Sequence, residues 1–268
     1  MASRLSVIAL ALLIGATGLI AQGPPGGRGR GGPPAPPRAP REAAPVDFTG
    51  QWVSVVTEDW RWRMLTPAKA DFAGVPLNPA GRKLGQAWDP AKDEAEGNQC
   101  KAYGAPAIMR MPGRLRISWQ DERTLKIEAD SGTQTRVFTF GGRPPQPATP
   151  SWQGYSVANW EQPMRGPGPP DNLPIALNPR EGNRGRSLEV VTTQLKPGYL
   201  RKNGVPYSDK TVLKEYFDLH TEPNGDTWFV VTTIVEDPDY LSTPYVTSTN
   251  FKKEPDQSKW SPTPCATR

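Results

Sequence analysis

Residues 114–140 read RLRISWQDERTLKIEADSGTQTRVFTF, and this stretch decides the fold class. Apolar and polar residues alternate from Arg114 to Trp119 and again from Leu125 to Asp130. Because successive side chains of a strand point to opposite faces, each run predicts a half-buried β-strand. A Ser131-Gly132 turn then leads into a third β-type run, Thr133 to Phe140, so the spacing predicts a hairpin.

The same organisation continues along the rest of the chain, where short β-type runs are separated by turn signals. The clearest turn is Pro223-Asn224-Gly225-Asp226, since Asn-Gly tolerates the positive φ of a tight hairpin. One helix is expected, near Pro79 to Ala87. The other runs are 50–57, 154–160, 188–195, 212–221, 227–235 and 245–251. This pattern predicts an all-β protein, an antiparallel β-barrel of about eight to nine strands, with a β-sandwich as the alternative.

Charge is unevenly distributed along the 268 residues. The net charge is +5, but arginines in residues 1–45 account for most of it. The remainder is close to neutral, so nucleic-acid binding by the folded part lacks its main driving force, and no nucleic-acid partner is expected.

The N-terminus has the features of an export signal. Residues 1–21 combine Arg4, an apolar run and small residues at two positions suited to cleavage, and residues 22–45 form a Pro/Gly/Arg-rich linker expected to be disordered. Residues 46–268 are then a single β-barrel domain, and the protein is periplasmic or secreted. No later stretch approaches about 20 apolar residues, so no transmembrane anchor is expected after signal removal.

The Pro/Gly-dense segment 161–186 is either disordered or a functional flap.

Cys100 and Cys265 are the only cysteines. In an exported chain a disulfide between them is favoured over two free thiols. Two cysteines and one histidine this far apart supply too few ligands for a metal site. No phosphate loop, dinucleotide fingerprint, zinc motif or calcium loop is present, so no cofactor is expected.

Gly50-Gln51-Trp52, at the start of the first strand, resembles the G-x-W opening of lipocalin-type calycin barrels. The resemblance implies that Trp52 closes the base of a lipocalin-like barrel and that a disulfide ties the C-terminal segment to the barrel wall. The body also resembles a group of uncharacterised exported bacterial proteins, which brings no activity with it. That second resemblance runs through residues 58–64, 97–104, 111–119, 196–208 and 223–241.

The sequence Trp60-Arg61-Trp62-Arg63 suggests a ligand site. If this tetrad is extended, Trp60 and Trp62 share one face and Arg61 and Arg63 the other, which places an aromatic wall beside two cations. Such a wall can stack on an apolar ring, and arginine can hold a carboxylate with two hydrogen bonds. The alternative is that both tryptophans fill the core and both arginines are solvated.

A second polar row consists of Arg116, Glu128 and Arg136, which are out of phase with the apolar positions of their strands. In a barrel with a polar interior they would converge on an anionic head group. In a one-sided sheet they would face water.

Catalysis has weaker support. His220 is the only histidine, and it would act with Glu215 and Tyr216 as first candidates for acid/base chemistry. A surface histidine at a hairpin end is the favoured alternative. Gly154-Tyr155-Ser156-Val157-Ala158 departs from G-x-S-x-G and lies in a strand-like run, which argues against a serine hydrolase.

We therefore expect an exported lipocalin-like protein that binds a small amphipathic or apolar ligand. The alternatives are a cofactor-free acid/base enzyme that uses the barrel cavity, and an envelope or polysaccharide interaction module whose exposed tryptophans contact a partner.

Overall fold

The computed structural model describes residues 38–161 and 187–267. The predicted signal peptide, residues 22–37 of the predicted linker and residues 162–186 of the predicted flap lie outside the described residues. Within the described ranges, no helix is long and apolar enough to span a bilayer.

Eleven strands are present in the described residues, and nine of them form a closed barrel in the order β1-β11-β10-β9-β6-β5-β4-β3-β2. The prediction of an all-β barrel with eight to nine strands is therefore confirmed. The strands are β1 (Gly50–Val55), β2 (Arg114–Asp121), β3 (Thr124–Ala129), β4 (Gln134–Phe140), β5 (Tyr155–Trp160), β6 (Leu188–Thr193), β7 (Gly198–Arg201), β8 (Val205–Tyr207), β9 (Val212–Thr221), β10 (Thr227–Glu236) and β11 (Tyr245–Glu254). Strands β7 and β8, which the sequence did not predict, form a separate two-stranded sheet.

One strand pair corrects the prediction of an antiparallel barrel. Strands β4 and β5 run parallel, with Phe138, Thr139 and Phe140 opposite Ser156, Val157 and Ala158. The connection between them, residues 141–154, is too long for a hairpin and returns the chain to the end of the barrel where β4 began, so β5 runs in the same direction. The barrel is therefore mixed.

The described helices are short and lie outside the barrel wall. They are α1 (Trp60–Arg63), α2 (Pro79–Ala87), α3 (Pro90–Ala95), a 3₁₀ helix (Gln99–Tyr103) and α4 (Ala105–Ile108). Helix α2 is the predicted one: Pro79 occupies the first turn, and the Asn78 side chain accepts a hydrogen bond from the Gly81 amide.

The barrel interior is a packed aromatic core. Trp52, Phe138, Phe217, Phe229 and Phe251 are all fully buried and point inward. The Trp52 and Phe229 rings lie 4.6 Å apart between centroids, and the Trp52 indole nitrogen donates to the Phe48 carbonyl over 2.8 Å. Side chains fill the interior, so a ligand has to be sought elsewhere.

Both ends of the barrel are covered. At one end the 3₁₀ helix and α4 contribute Tyr103 and Ile108 to the buried core, and these two elements together with the β7–β8 sheet form what we call the cap. At the other end Phe48 stacks on Trp160, whose indole nitrogen donates to the Pro40 carbonyl over 2.9 Å. Residues near position 40, in the segment predicted as linker, thus contact the barrel.

The predicted disulfide is confirmed. Cys100 and Cys265 are joined, with their Cα atoms 5.1 Å apart. The bond attaches the C-terminal segment to the 3₁₀ helix of the cap.

Candidate functional site

The Trp60–Arg63 tetrad is a helical turn, and not an extended segment. It is α1, and it follows Asp59, whose φ of 52° lies in the left-handed region. A helix separates consecutive side chains by about 100°, so the two tryptophans no longer share one face. Trp60 is exposed, Arg61 is exposed, Trp62 is half-buried and Arg63 is buried.

Arg63 explains why the turn is helical. Its guanidinium donates to the Arg110 carbonyl over 3.0 Å and to the Ser54 hydroxyl over 3.1 Å, and it forms an ion pair with Glu58. Burial lowers the pKa of Arg63, Glu58 opposes that shift, and the nearby charge of Arg110 adds to it. The positive charges of Arg63 and Arg110 therefore lie close enough to interact.

Trp62 lies between the carboxylate of Asp71 and the guanidinium of Arg201. Its indole nitrogen donates to the Asp71 carboxylate over 3.2 Å, and the Arg201 guanidinium lies 5.1 Å from its ring centroid. The amide of Ala73, the Trp62 indole and Arg61 together hold the pKa of the Asp71 carboxyl below its ordinary value. The Trp62 ring is therefore fixed in place.

Two further arginines are buried beside Trp62 and Arg63. Arg110 Nη2 donates to Asp59 over 2.7 Å, while its Nη1 is buried without a hydrogen-bond partner among the described residues. Arg201 donates to the Ala73 carbonyl over 2.7 Å and lies 3.3 Å from the Tyr245 hydroxyl, and its Nε has no partner among those residues. An unpaired buried donor is costly, so the described residues do not fully satisfy either guanidinium.

These side chains surround a cavity of about 310 Å³ at the capped end of the barrel, which we call the arginine cavity. Its polar wall consists of Arg63, Arg110, Arg201 and Lys202, and its apolar wall includes Trp62, Met64, Leu65, Tyr103 and Met111. Glu58 and Asp59 pair with two of the four cations, which leaves an excess of positive charge. The arrangement fits a small molecule with an anionic head and an apolar body.

The second predicted polar row divides between the two sides of the barrel wall. Arg116 and Glu128 are paired across β2 and β3 with N–O distances of 3.2 and 3.4 Å, and both are partly exposed on the outer face. The Trp260 ring covers the Arg116 guanidinium at 4.6 Å. Burial raises the pKa of Glu128, but the hydrogen bonds and the positive charges of Lys126 and Arg116 together outweigh burial, so the pKa is lowered.

Arg136 lies on the opposite face, inside the barrel, because it pairs with Ile127 and not with Glu128. Its guanidinium donates to both oxygens of Glu215 over 2.8 and 2.5 Å and lies 3.4 Å from the Thr192 hydroxyl. The expected convergence of Arg116, Glu128 and Arg136 therefore does not occur.

The three catalytic candidates are also separated. Glu215 points inward to Arg136, whereas Tyr216 and His220 lie on the outer face of β9. Tyr216 contacts Glu189 at 3.4 Å, and His220 contacts Glu222 at 3.3 Å near the hairpin end. Ser156 is buried and shares a hydrogen bond of 2.7 Å with Thr192. These side chains do not form an acid/base site or a nucleophile with its base.

Comparison with known proteins identifies no relative: no family model, curated protein or solved structure matches this chain.

Of the predicted ligand residues, the arginine cavity therefore includes Trp62 and Arg63, and the residues that sequence reasoning missed are Arg110, Arg201 and Lys202. A signal exists for one of them. Arg110 stands between Met109 and Met111 and is a charge inside an apolar run, whereas Arg201 is followed by Lys202 and Asn203 and has no such signal. Long charged residues are rarely buried without a reason, and such positions are worth testing as sites.

Proposed function

We propose that this protein is an exported binding protein for a small amphipathic anion, and that the arginine cavity is its binding site. The observation that carries the proposal is the charge of the cavity wall: Arg63, Arg110, Arg201 and Lys202 all line it, and of these four only Arg63 and Arg110 form ion pairs with carboxylates of the described residues. A carboxylate, sulfate or phosphate group of a ligand would neutralise the remaining positive charge through charge-assisted hydrogen bonds.

The rest of the wall supports an amphipathic ligand over a simple inorganic ion. Met64, Leu65 and Met111 line the cavity opposite the arginines. Methionine side chains adapt to apolar groups of different shapes. The volume of about 310 Å³ suits a molecule of modest size at the lower end of the range for ligand sites.

Export is supported by two independent features. Residues 1–21 have the composition of a secretory signal. The Cys100–Cys265 disulfide is of a kind that persists in oxidising compartments. The destination that we propose is the periplasm or the medium.

Titration calorimetry with decanoate tests the binding site, and decanol serves as the uncharged comparison of the same chain length. We expect decanoate to bind and decanol to bind much more weakly. Arg110→Met and Lys202→Met should each weaken decanoate binding about tenfold, since each removes one cation from the cavity wall.

Arg116→Met is the matched control, because Arg116 is an arginine on the outer face of the barrel. It should leave the affinity for decanoate unchanged. Far-ultraviolet circular dichroism checks that each variant keeps its β-structure. Decanoate affinity that survives in both cavity variants, or that falls equally in the Arg116 variant, would contradict this assignment, and so would a wild-type protein that binds no decanoate.

A further inference from the structure

Three large apolar side chains are exposed together at the edge of the arginine cavity. Trp60, Met64 and Leu65 are 63%, 56% and 65% exposed, and they form what we call the apolar rim. Trp60 begins α1 and Met64, four residues later, is its C-terminal cap with helical backbone angles, so their side chains are neighbours on one face. Met64 and Leu65 also line the cavity. The other large exposed apolar residues of the described chain, Leu84, Val137 and Val246, are scattered elsewhere in sequence.

Cations surround this rim. Arg61 is exposed beside Trp60, Lys69 is exposed a few residues later, and Lys202 lies at the cavity wall. The Asn203 side chain donates to the carbonyls of Ala68 and Asp71, which holds the chain around Lys69 next to Lys202.

The rim cations are only partly neutralised. Asp71 lies 3.4 Å from Arg61, whereas no carboxylate of the described residues lies within ion-pair distance of Lys69 or Lys202. The rim therefore combines exposed tryptophan and aliphatic surface with excess positive charge.

We infer that the apolar rim docks on the surface of an anionic phospholipid bilayer. Trp60, Met64 and Leu65 would enter the boundary between head groups and acyl chains, where an amphipathic indole is favourable, and the flanking cations would contact lipid phosphates. Charge complementarity selects this occupant, since an anionic leaflet attracts basic segments next to an apolar surface.

This inference goes beyond the proposed binding function. The rim borders the cavity, so docking would place the cavity mouth at the membrane surface. An amphipathic anion partitions into that surface, and the protein would take it up from there.

Co-sedimentation of the signal-free chain with lipid vesicles tests the inference. Vesicles of phosphatidylcholine with about 30% phosphatidylglycerol should bind the protein, and pure phosphatidylcholine vesicles should bind it much less. Trp60→Ser/Met64→Ser should lower the partition coefficient on anionic vesicles about tenfold, because the variant loses most of its inserted apolar surface.

The matched control is Leu84→Ser/Val246→Ser, which removes two exposed apolar side chains far from the rim in sequence and should leave vesicle binding unchanged. Binding should also fall as salt is raised. The inference is overturned if wild-type protein stays in the supernatant with anionic vesicles, or if the rim variant binds as well as wild type. It is equally overturned if sedimentation velocity shows a wild-type dimer that the rim variant abolishes, since the rim would then belong to a second copy of the chain.

Discussion

Replacing Arg136 with methionine should destabilise the barrel severely, whereas replacing its partner at the same time should not. Glu215 is 0% exposed and Arg136 is 2% exposed, so water does not reach the pair. Both carboxylate oxygens accept from the guanidinium, over 2.8 and 2.5 Å. Arg136→Met therefore leaves a carboxylate inside an aromatic core with no cation beside it.

The expected loss follows from that burial. Removing one partner of a buried ion pair typically costs about 3–5 kcal/mol, and the complete enclosure of Glu215 places this pair toward the upper end. In Arg136→Met/Glu215→Leu the interior becomes apolar with similar volume, and the Ser156–Thr192 hydrogen bond remains. The free energy of unfolding of the double variant should lie within about 1 kcal/mol of the wild-type value.

Urea unfolding, followed by both tryptophan fluorescence and far-ultraviolet circular dichroism, measures these free energies for the wild type, both single variants and the double variant. A loss below about 1 kcal/mol for Arg136→Met would show that the carboxylate finds water or another partner. If the double variant is as unstable as Arg136→Met, the loss of stability comes from altered packing and not from the unpaired carboxylate of Glu215.

Two further predictions concern the disulfide of the cap and the Asp71 carboxylate beside Trp62. Cys100→Ser/Cys265→Ser should lose about 5 kcal/mol of unfolding free energy relative to the oxidised protein, because the bond closes a loop of 165 residues; urea unfolding of both forms checks this, and equal midpoints would contradict the loop-closure account. The Ala73 amide and the Trp62 indole lower the pKa of Asp71, so this carboxylate stabilises the fold above its unfolded pKa and loses that effect as the pH falls through its folded pKa. Asp71→Asn should therefore be less stable than wild type at neutral pH, with a gap that closes in acid, and a gap independent of pH in thermal unfolding scans would argue against this role.

The barrel strands were predictable because their patterns agree with their surroundings. The alternation in β2 and β3 matches one buried and one exposed face, and Asn224-Gly225 supplies the turn between β9 and β10. These signals come from residues that are close together in the chain, so they can be read from the sequence alone. The direction of β5 depends on the path of residues 141–154, which carries no such pattern.

The candidate site was less predictable because its geometry is set by distant contacts. Trp60-Arg61-Trp62-Arg63 alternates with the period of a strand, yet the contacts of Arg63 with Glu58 and with the Arg110 carbonyl hold it as a helical turn. The choice of face for Arg136 depends on strand register, which places it opposite Ile127. The cavity itself forms from five separate stretches of chain, residues 62–66, 103–112, 131, 200–202 and 263, and no pattern within one stretch predicts that they come together.

The pairing of β1 with β11 has a consequence for how the protein matures. Gln51 lies opposite Glu254, so the seam that completes the ring joins the beginning of the domain to a strand near its end. Contacts so distant along the chain form slowly. If the chain crosses a membrane from its N-terminus, as proposed above, the barrel would stay open until β11 emerged, and its closure would be the last step, on the far side of that membrane.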